Sequence, residues 1–212
     1  MTEPDSPTRL RLFVALTVPE QVKARILEAQ RRLQRVLPEP AARWTRPEQF
    51  HLTLRFLGNV DTAQTAPLAD ALRGTCNGFG VLRLRASGIG FFPRPRSPRV
   101  VWAGVHDEQE RLPGLWAAVQ TATNAFTSEE SERNFTGHIT LARIKSIRPK
   151  EAEALSCQAS ELGQAAFGEW TSSEVEIIRS QLSPHGARYT TLAAIPLQVS
   201  PASLARPRAD TN

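Results

Sequence analysis

The segment His51-Leu-Thr-Leu54 recurs in the second half of the chain as His138-Ile-Thr-Leu141. Each copy belongs to an apolar stretch typical of a β-strand, at 50–57 and at 138–144. A lone His-x-Thr occurs by chance in many proteins, so one copy indicates little. Two copies at matching places in the two halves indicate an internal repeat with a function.

The side chains of each copy divide between two faces, because successive residues of a strand point in opposite directions. His51 and Thr53 are therefore expected on one face, and the leucines at 52 and 54 on the other. The same alternation applies to His138 and Thr140. If a pseudo-twofold axis relates the halves, both His/Thr faces line one groove.

The rest of the chain predicts an α+β protein with antiparallel sheets. Strands are expected at 9–16, 50–57, 81–86, 99–105, 138–144, 174–182 and 188–199, helices at 19–37, 63–73 and 150–162, and a further helix that starts at Glu108 or near Pro113 and ends near Phe126. The glycine- and proline-rich stretch 88–98 is expected to be a loop or an irregular edge, and 127–134 a loop. We expect two similar lobes that face a central groove, with helices on the outside.

One bilobal domain is predicted over 9–199, between a flexible N-terminus at 1–8 and a flexible tail at 200–212. A turn is expected at 183–186. No stretch approaches the roughly 20 apolar residues of a membrane span, and 1–8 lacks a signal-peptide core. The sequence therefore predicts a cytoplasmic monomer with no membrane partner. Cys76 and Cys157 form no CxxC pair, so free thiols are expected and a zinc site is not.

The chain carries a formal net charge of +5, and apart from Lys23, Lys145 and Lys150 its 26 basic residues are arginine. Guanidinium groups bind phosphate in a bidentate manner, and a basic protein attracts polyanions. A genome that favours arginine codons explains the same composition, so the charge favours a nucleic-acid partner without establishing one.

Two histidines and two threonines around one groove suit phosphodiester hydrolysis. One histidine takes a proton from water while the other protonates the departing ribose oxygen, and a pKa near 6.5 suits both tasks. Threonine hydroxyls donate hydrogen bonds to the phosphate oxygens. No metal or other cofactor is expected. The remaining histidines, His106 and His185, are expected at the surface.

The motifs resemble those of the two-histidine phosphoesterase superfamily, and within it the RNA 2′,3′-cyclic phosphodiesterase (2′-5′ RNA ligase-like) family. The resemblance rests on four stretches and covers about 10–197: Arg9-Leu-Arg-Leu-Phe-Val-Ala-Leu16, Trp44-Thr-Arg-Pro-Glu-Gln-Phe-His-Leu-Thr-Leu-Arg-Phe-Leu-Gly58, His138-Ile-Thr-Leu-Ala-Arg143 and Ser183-Pro-His-Gly-Ala-Arg-Tyr189.

This resemblance implies a role for each matching position. His51 would be the proton donor to the leaving oxygen and His138 the proton acceptor from water. Thr53, Thr140 and Arg143 would bind the phosphate of an RNA end, and the product would be a 2′-phosphate. The family usually has proline before the second histidine, whereas this chain has Gly137, so a looser start of the strand is expected.

Phe13, Phe56 and Tyr189 are candidates for stacking on a base, although core packing is favoured for Phe13 and Phe56. The arginines at 94, 96 and 99 either contact the RNA backbone or lie in a solvated loop.

Three alternatives to hydrolysis of RNA ends remain open. They are the reverse reaction, which forms a 2′-5′ link, an RNA-end-binding protein without catalysis, and an esterase for cyclic phosphates of nucleotides or ADP-ribose. The retained acid and base weigh against a protein that only binds.

Overall fold

The computed structural model describes residues 8–130, 134–163, 165–183 and 186–198. Nine strands and four α-helices occur within these residues. In chain order they are β1 (Arg9–Thr17), α1 (Glu20–Gln34), β2 (Ala42–Trp44), β3 (His51–Asp61), α2 (Thr65–Cys76), β4 (Leu82–Phe92), β5 (Val100–Asp107), α3 (Leu112–Thr123), β6 (His138–Ile144), α4 (Pro149–Glu161), β7 (Ala166–Ser172), β8 (Glu174–Ser183) and β9 (Gly186–Pro196).

The strands form two antiparallel sheets, which confirms the predicted α+β class and the two lobes. One sheet has the order β3-β1-β8-β9 and the other β2-β6-β5-β4-β7. When β2 is set aside, the two orders match strand for strand. The histidine-bearing strands β3 and β6 correspond to each other, and each pairs with the strand that begins its half of the repeat, β1 or β5.

Strand β1 shows how alternation builds this architecture. Leu10, Leu12, Val14 and Leu16 are buried in the main core. On the opposite face, Phe13 packs in a second, smaller apolar cluster with Ala15, Ile178 and Tyr189. The sheet therefore has a thick apolar core on one side and a thin apolar layer on the groove side.

The two lobes are interlocked, because elements of one lobe pack on the other. Helix α1 follows β1 yet contacts β7 and α4, while α3 follows β5 yet contacts β3. The short strand β2 leaves the first lobe and pairs with β6 of the second. The buried side-chain amide of Gln30 on α1 donates hydrogen bonds to the carbonyl oxygens of Thr45, at 2.7 Å, and Leu141, at 2.9 Å. These crossings fix the position of one lobe against the other.

The stretch 88–98, expected to be a loop or an irregular edge, contains both: β4 continues through a register shift to Phe92 with 89–92 paired to β5 alone, and no helix or strand occurs over 93–98. Gly88 has a φ of +68° and lies at a register shift between β4 and β5, so it forms a β-bulge rather than a turn. A Cβ at Gly90 would lie 2.1 Å from the indole of Trp102, so this glycine makes room for a cross-strand ring. Both glycines therefore belong to strand β4, one at its bulge and one beneath the Trp102 ring.

Other differences lie at edges and strand ends. Strands β2 and β7 were not predicted, β3 runs past Gly58 to Asp61, and α1 ends at Gln34 rather than at residue 37. The tails at 1–7 and 199–212, and the centre of the predicted turn at 184–185, lie outside the described residues. No helix in the described part of the chain is both long and apolar enough to cross a membrane.

Candidate active site

His51, Thr53, His138 and Thr140 line one groove of about 790 Å³ between the two sheets. His51 is the first residue of β3 and His138 the first residue of β6. The two strands therefore carry equivalent side chains to the groove from opposite lobes. This arrangement brings together the four residues that the repeat singled out.

Each histidine ring is held by the backbone two residues earlier in the chain. Nδ1 of His51 donates a hydrogen bond to the carbonyl oxygen of Gln49 at 2.6 Å, and Nδ1 of His138 donates to that of Thr136 at 2.8 Å. A carbonyl oxygen can only accept, so Nδ1 carries the proton in both neutral rings. Nε2 is then the basic nitrogen of each ring, as an acid–base role requires.

Gln49 also links the first histidine to the closing hairpin. Its side-chain amide donates a hydrogen bond to the carbonyl oxygen of Ala187 on β9 at 2.5 Å, and its Oε1 accepts one from the backbone N–H of Arg46 at 3.3 Å. The hydrogen bonds of its side chain thus fix the position of Gln49, whose backbone carbonyl oxygen orients the His51 ring. Sequence reasoning missed Gln49, because its neighbour Ala187 is remote in the chain.

Aromatic rings surround both histidines. The ring centroid of His51 lies 4.7 Å from that of Phe13 and 5.3 Å from that of Tyr189. The centroid of His138 lies 5.1 Å from that of Phe92. The rings next to His51 contribute to its burial.

Burial lowers the pKa of His51 from its ordinary value of 6.5 to about 4. The hydrogen bond to Gln49 opposes this shift, while the nearby His138 and Lys23 add to it through repulsion between positive charges. At neutral pH, His51 is therefore uncharged. A phosphate anion between the two rings would favour the charged form and raise this pKa.

Arginine side chains supply the positive charge of the groove. Arg11, Arg43 and Arg143 line it, and no Asp or Glu does among the described residues. Burial raises the pKa of Tyr189, an effect that the same three guanidinium groups oppose. Arg43 and Arg143 are cross-strand partners of β2 and β6, a like-charge pair that costs stability by itself. An anion in the groove would relieve this repulsion.

The three stacking candidates all line the groove but differ in exposure. Phe13 is 2% exposed, in accord with core packing, whereas Phe56 is 43% exposed, so the prediction of core packing is wrong for Phe56. A register shift between β1 and β3, at Val14 and Ala15, interrupts the alternation along β3 and turns Phe56 outward. Tyr189 is half-buried against Phe13.

Arg143, expected at the phosphate, lines the groove, whereas the loop arginines, expected either to contact RNA or to lie in a solvated loop, do not. Those at 94, 96 and 99 are exposed and line no part of it, whereas Arg11 and Arg43 do. The available signal was the alternation in β1, which places Arg9 and Arg11 on the same face as Phe13. His106 is exposed as predicted, and His185 lies outside the described residues. Cys76 and Cys157 are free thiols.

The looser strand start expected at Gly137 is not found. The backbone N–H of Val105 donates a hydrogen bond to the Gly137 carbonyl oxygen at 2.8 Å, so pairing continues beyond the start of β6. A Cβ at this position would lie 2.4 Å from the Val105 carbonyl oxygen. Glycine here allows a close approach of two backbones.

Comparison with known proteins agrees with this geometry. A family model described as LigT like phosphoesterase matches residues 16–102. A protein from Archaeoglobus fulgidus named RNA 2′,3′-cyclic phosphodiesterase is 31% identical over 183 residues, which cover 86% of this chain and 98% of that one. A protein of the same name from Methanothermobacter thermautotrophicus is 28% identical and covers 87% of this chain and 97% of its own.

The fold is matched as well. A solved structure from Thermus thermophilus superposes with a TM-score of 0.71 at 30% identity, covering 89% of this chain and 98% of the other. The chain belongs to the RNA 2′,3′-cyclic phosphodiesterase family of LigT-like phosphoesterases.

Proposed function

We propose that this chain hydrolyses 2′,3′-cyclic phosphates at RNA ends to 2′-phosphates without a metal ion. The observation that carries the proposal is the pair of histidines, each anchored through Nδ1, that line one groove with threonine and arginine side chains. The curated relatives are named for this activity.

The reaction needs one proton removed and one supplied. His138 accepts a proton from water as its oxygen attacks phosphorus. The bond between phosphorus and O3′ breaks, and His51 donates its proton to O3′, which leaves a 3′-hydroxyl and a 2′-phosphate. Thr53, Thr140 and Arg143 bind the non-bridging oxygens as negative charge grows on them. With a pKa of about 4, His51 is uncharged at neutral pH, so this assignment requires it to take up a proton as the substrate anion binds beside it, which the attraction between the anion and the imidazolium favours.

We further propose that one domain over 9–199 carries out this reaction as a monomer in the cytoplasm. Both histidines come from a single chain and meet in a groove formed by its own two lobes. The substrate class is an RNA end because arginines line the groove, and Tyr189 and Phe56 offer ring surfaces to a base.

The decisive experiment offers the protein a short RNA with a 2′,3′-cyclic phosphate and identifies the product by chromatography and mass. We expect a 2′-phosphate. A 3′-phosphate would reverse the regiochemistry, and binding without turnover would identify an RNA-end-binding protein.

The same assay with an added 5′-hydroxyl RNA tests ligation to a 2′-5′ link, since the two histidines serve both directions. Faster turnover of a cyclic phosphate of ADP-ribose than of RNA would favour the small-molecule esterase.

A further inference from the structure

A second groove of about 900 Å³ adjoins the histidine groove. Arg11, Phe56, Arg143, Ser180 and Leu182 line both, so the two grooves are continuous. Beyond this shared border, the second groove extends along the ends of β1, β3 and β8, away from the histidines. Its distal part includes Arg9, Asn59 and Arg179.

The second groove is positively charged. In the part of the chain that the structure describes, its lining carries four arginines, at 9, 11, 143 and 179, against one carboxylate, Glu129. None of these four arginines forms a salt bridge within the described residues. The salt bridges found there involve other lysine and arginine side chains. A row of guanidinium groups without carboxylate partners is suited to successive phosphates.

Apolar side chains are exposed at the same place. Phe56 is 43% exposed and Leu182 is 66% exposed, and both line the border between the grooves. Aromatic surface beside arginines is the combination that binds single-stranded nucleic acid, because each base offers a ring face and each nucleotide a phosphate.

The distance from the histidines indicates which nucleotides this groove receives. Phe13, whose ring packs on His51, is four residues from Arg9 along β1, which corresponds to roughly 13 Å at about 3.3 Å per residue. Arg9 therefore lies beyond the nucleotide whose phosphate is at the histidines.

We infer that the second groove binds the RNA segment on the 5′ side of the cyclic phosphate, with Arg9 and Arg179 on its phosphates and a base against Phe56. The inference rests on the proposed function and adds a specificity to it, which is that the enzyme prefers an oligonucleotide end to a cyclic mononucleotide.

The test compares kcat/KM for a cyclic mononucleotide and for a four-nucleotide RNA with the same terminal cyclic phosphate. For the unaltered protein we expect the oligonucleotide to be preferred by at least roughly ten-fold. In the double variant Arg9→Gln/Arg179→Gln, the ratio of the two kcat/KM values should fall several-fold. The slope of log(kcat/KM) against log(salt) for the oligonucleotide should become shallower by roughly 1.4, since each phosphate that an arginine neutralises on a single strand adds about 0.7 to the slope.

A matched control removes two arginines from elsewhere. Arg25 and Arg31 are exposed on α1 and line neither groove, so Arg25→Gln/Arg31→Gln changes the net charge equally and should leave the ratio and the salt slope in place. An equal effect of the two double variants would overturn the site in favour of general charge attraction.

The remaining outcomes separate the inference from the proposed function. Equal kcat/KM values for both substrates in the unaltered protein would overturn the inference and leave the proposed function standing. Turnover of neither substrate would overturn both. The inference would also be overturned if Arg9→Gln/Arg179→Gln lowered turnover of both substrates equally while its melting temperature stayed unchanged. These arginines would then act on the histidine groove instead.

Discussion

The rings of Tyr189 and His51 are nearly perpendicular, at 78°, with 5.3 Å between their centroids. With Phe13 on another side of the same imidazole, this contact removes His51 from water and explains why burial is the largest cause of its lowered pKa. The lowered pKa of His51 can be tested in the pH dependence of stability and in the separate roles of the two histidines in catalysis.

The free energy of unfolding should fall as the pH is lowered from about 6.5 to about 4. In this window the unfolded chain binds a proton at residue 51 that the folded chain does not, so acid favours unfolding by up to about 3 kcal/mol from this group. Urea denaturation at several pH values measures the effect. His51→Gln should flatten the curve in this window, while His106→Gln, at an exposed position, should not. A curve that His51→Gln leaves unchanged would show that the shift is absent.

The two histidines should differ in their response to the leaving group. His51→Ala and His138→Ala should each lower kcat/KM on the cyclic phosphate by roughly 10²–10⁴-fold, the usual effect of a positioned acid or base. Both changes together should cost much less than the product of the two, because the groups act as a unit. A substrate whose leaving group needs no proton should restore turnover to His51→Ala and hardly at all to His138→Ala.

The reverse pattern would exchange the roles, and the lowered pKa of His51, which favours an uncharged ring able to accept a proton, makes this a sharp test. Full activity of either single variant on the cyclic phosphate would exclude the two-histidine mechanism.

Turnover should withstand strong chelation, because the proposed mechanism assigns both proton transfers to the two histidines. The described residues contain no group of three or more His, Cys, Asp and Glu side chains arranged to hold a metal ion. Rates measured before and after dialysis against a chelator should agree. Loss of turnover that one divalent metal restores would contradict the metal-free mechanism.

Each threonine hydroxyl should matter for rate and little for folding. Thr53→Val and Thr140→Val keep the shape of the side chain and remove one donor to the phosphate, so each should lower kcat by roughly 10²-fold or more. Thr121→Val, on the exposed side of α3, is a control that should leave kcat unchanged. If both groove variants kept full kcat, the threonines would not contact the reacting phosphate.

Gly137→Ala should destabilise the protein by about 1–3 kcal/mol, because its Cβ would lie 2.4 Å from the carbonyl oxygen of Val105. Gly74→Ala is the matched control. Gly74 lies inside α2 and a Cβ there meets nothing within 4 Å, so alanine should stabilise by about 0.5–1 kcal/mol through helix propensity. Urea denaturation of both variants measures the difference, and equal stabilities would show that the backbone at Gly137 relaxes without cost.

The alternation of strand side chains is sufficient to predict the four groove residues of the repeat, because it depends only on neighbours in the chain. It fails at Phe56, where a register shift against β1 changes which side chains share a face. Gly88 and Gly90 read as loop residues because their reasons, a bulge and the ring of Trp102, lie on another strand. Strand β2 was not predicted because its three residues form a strand only through pairing with β6, which is remote in the sequence and belongs to the other lobe.

The crossing of β2 and α1 into the second lobe also limits how the molecule can move. A hinge between the sheets would have to break the β2–β6 pairing and the hydrogen bonds from Gln30 to Thr45 and Leu141. Access of substrate by a wide opening of the two lobes is therefore disfavoured. The spacing between the two histidines is therefore set when the chain folds, before any substrate binds.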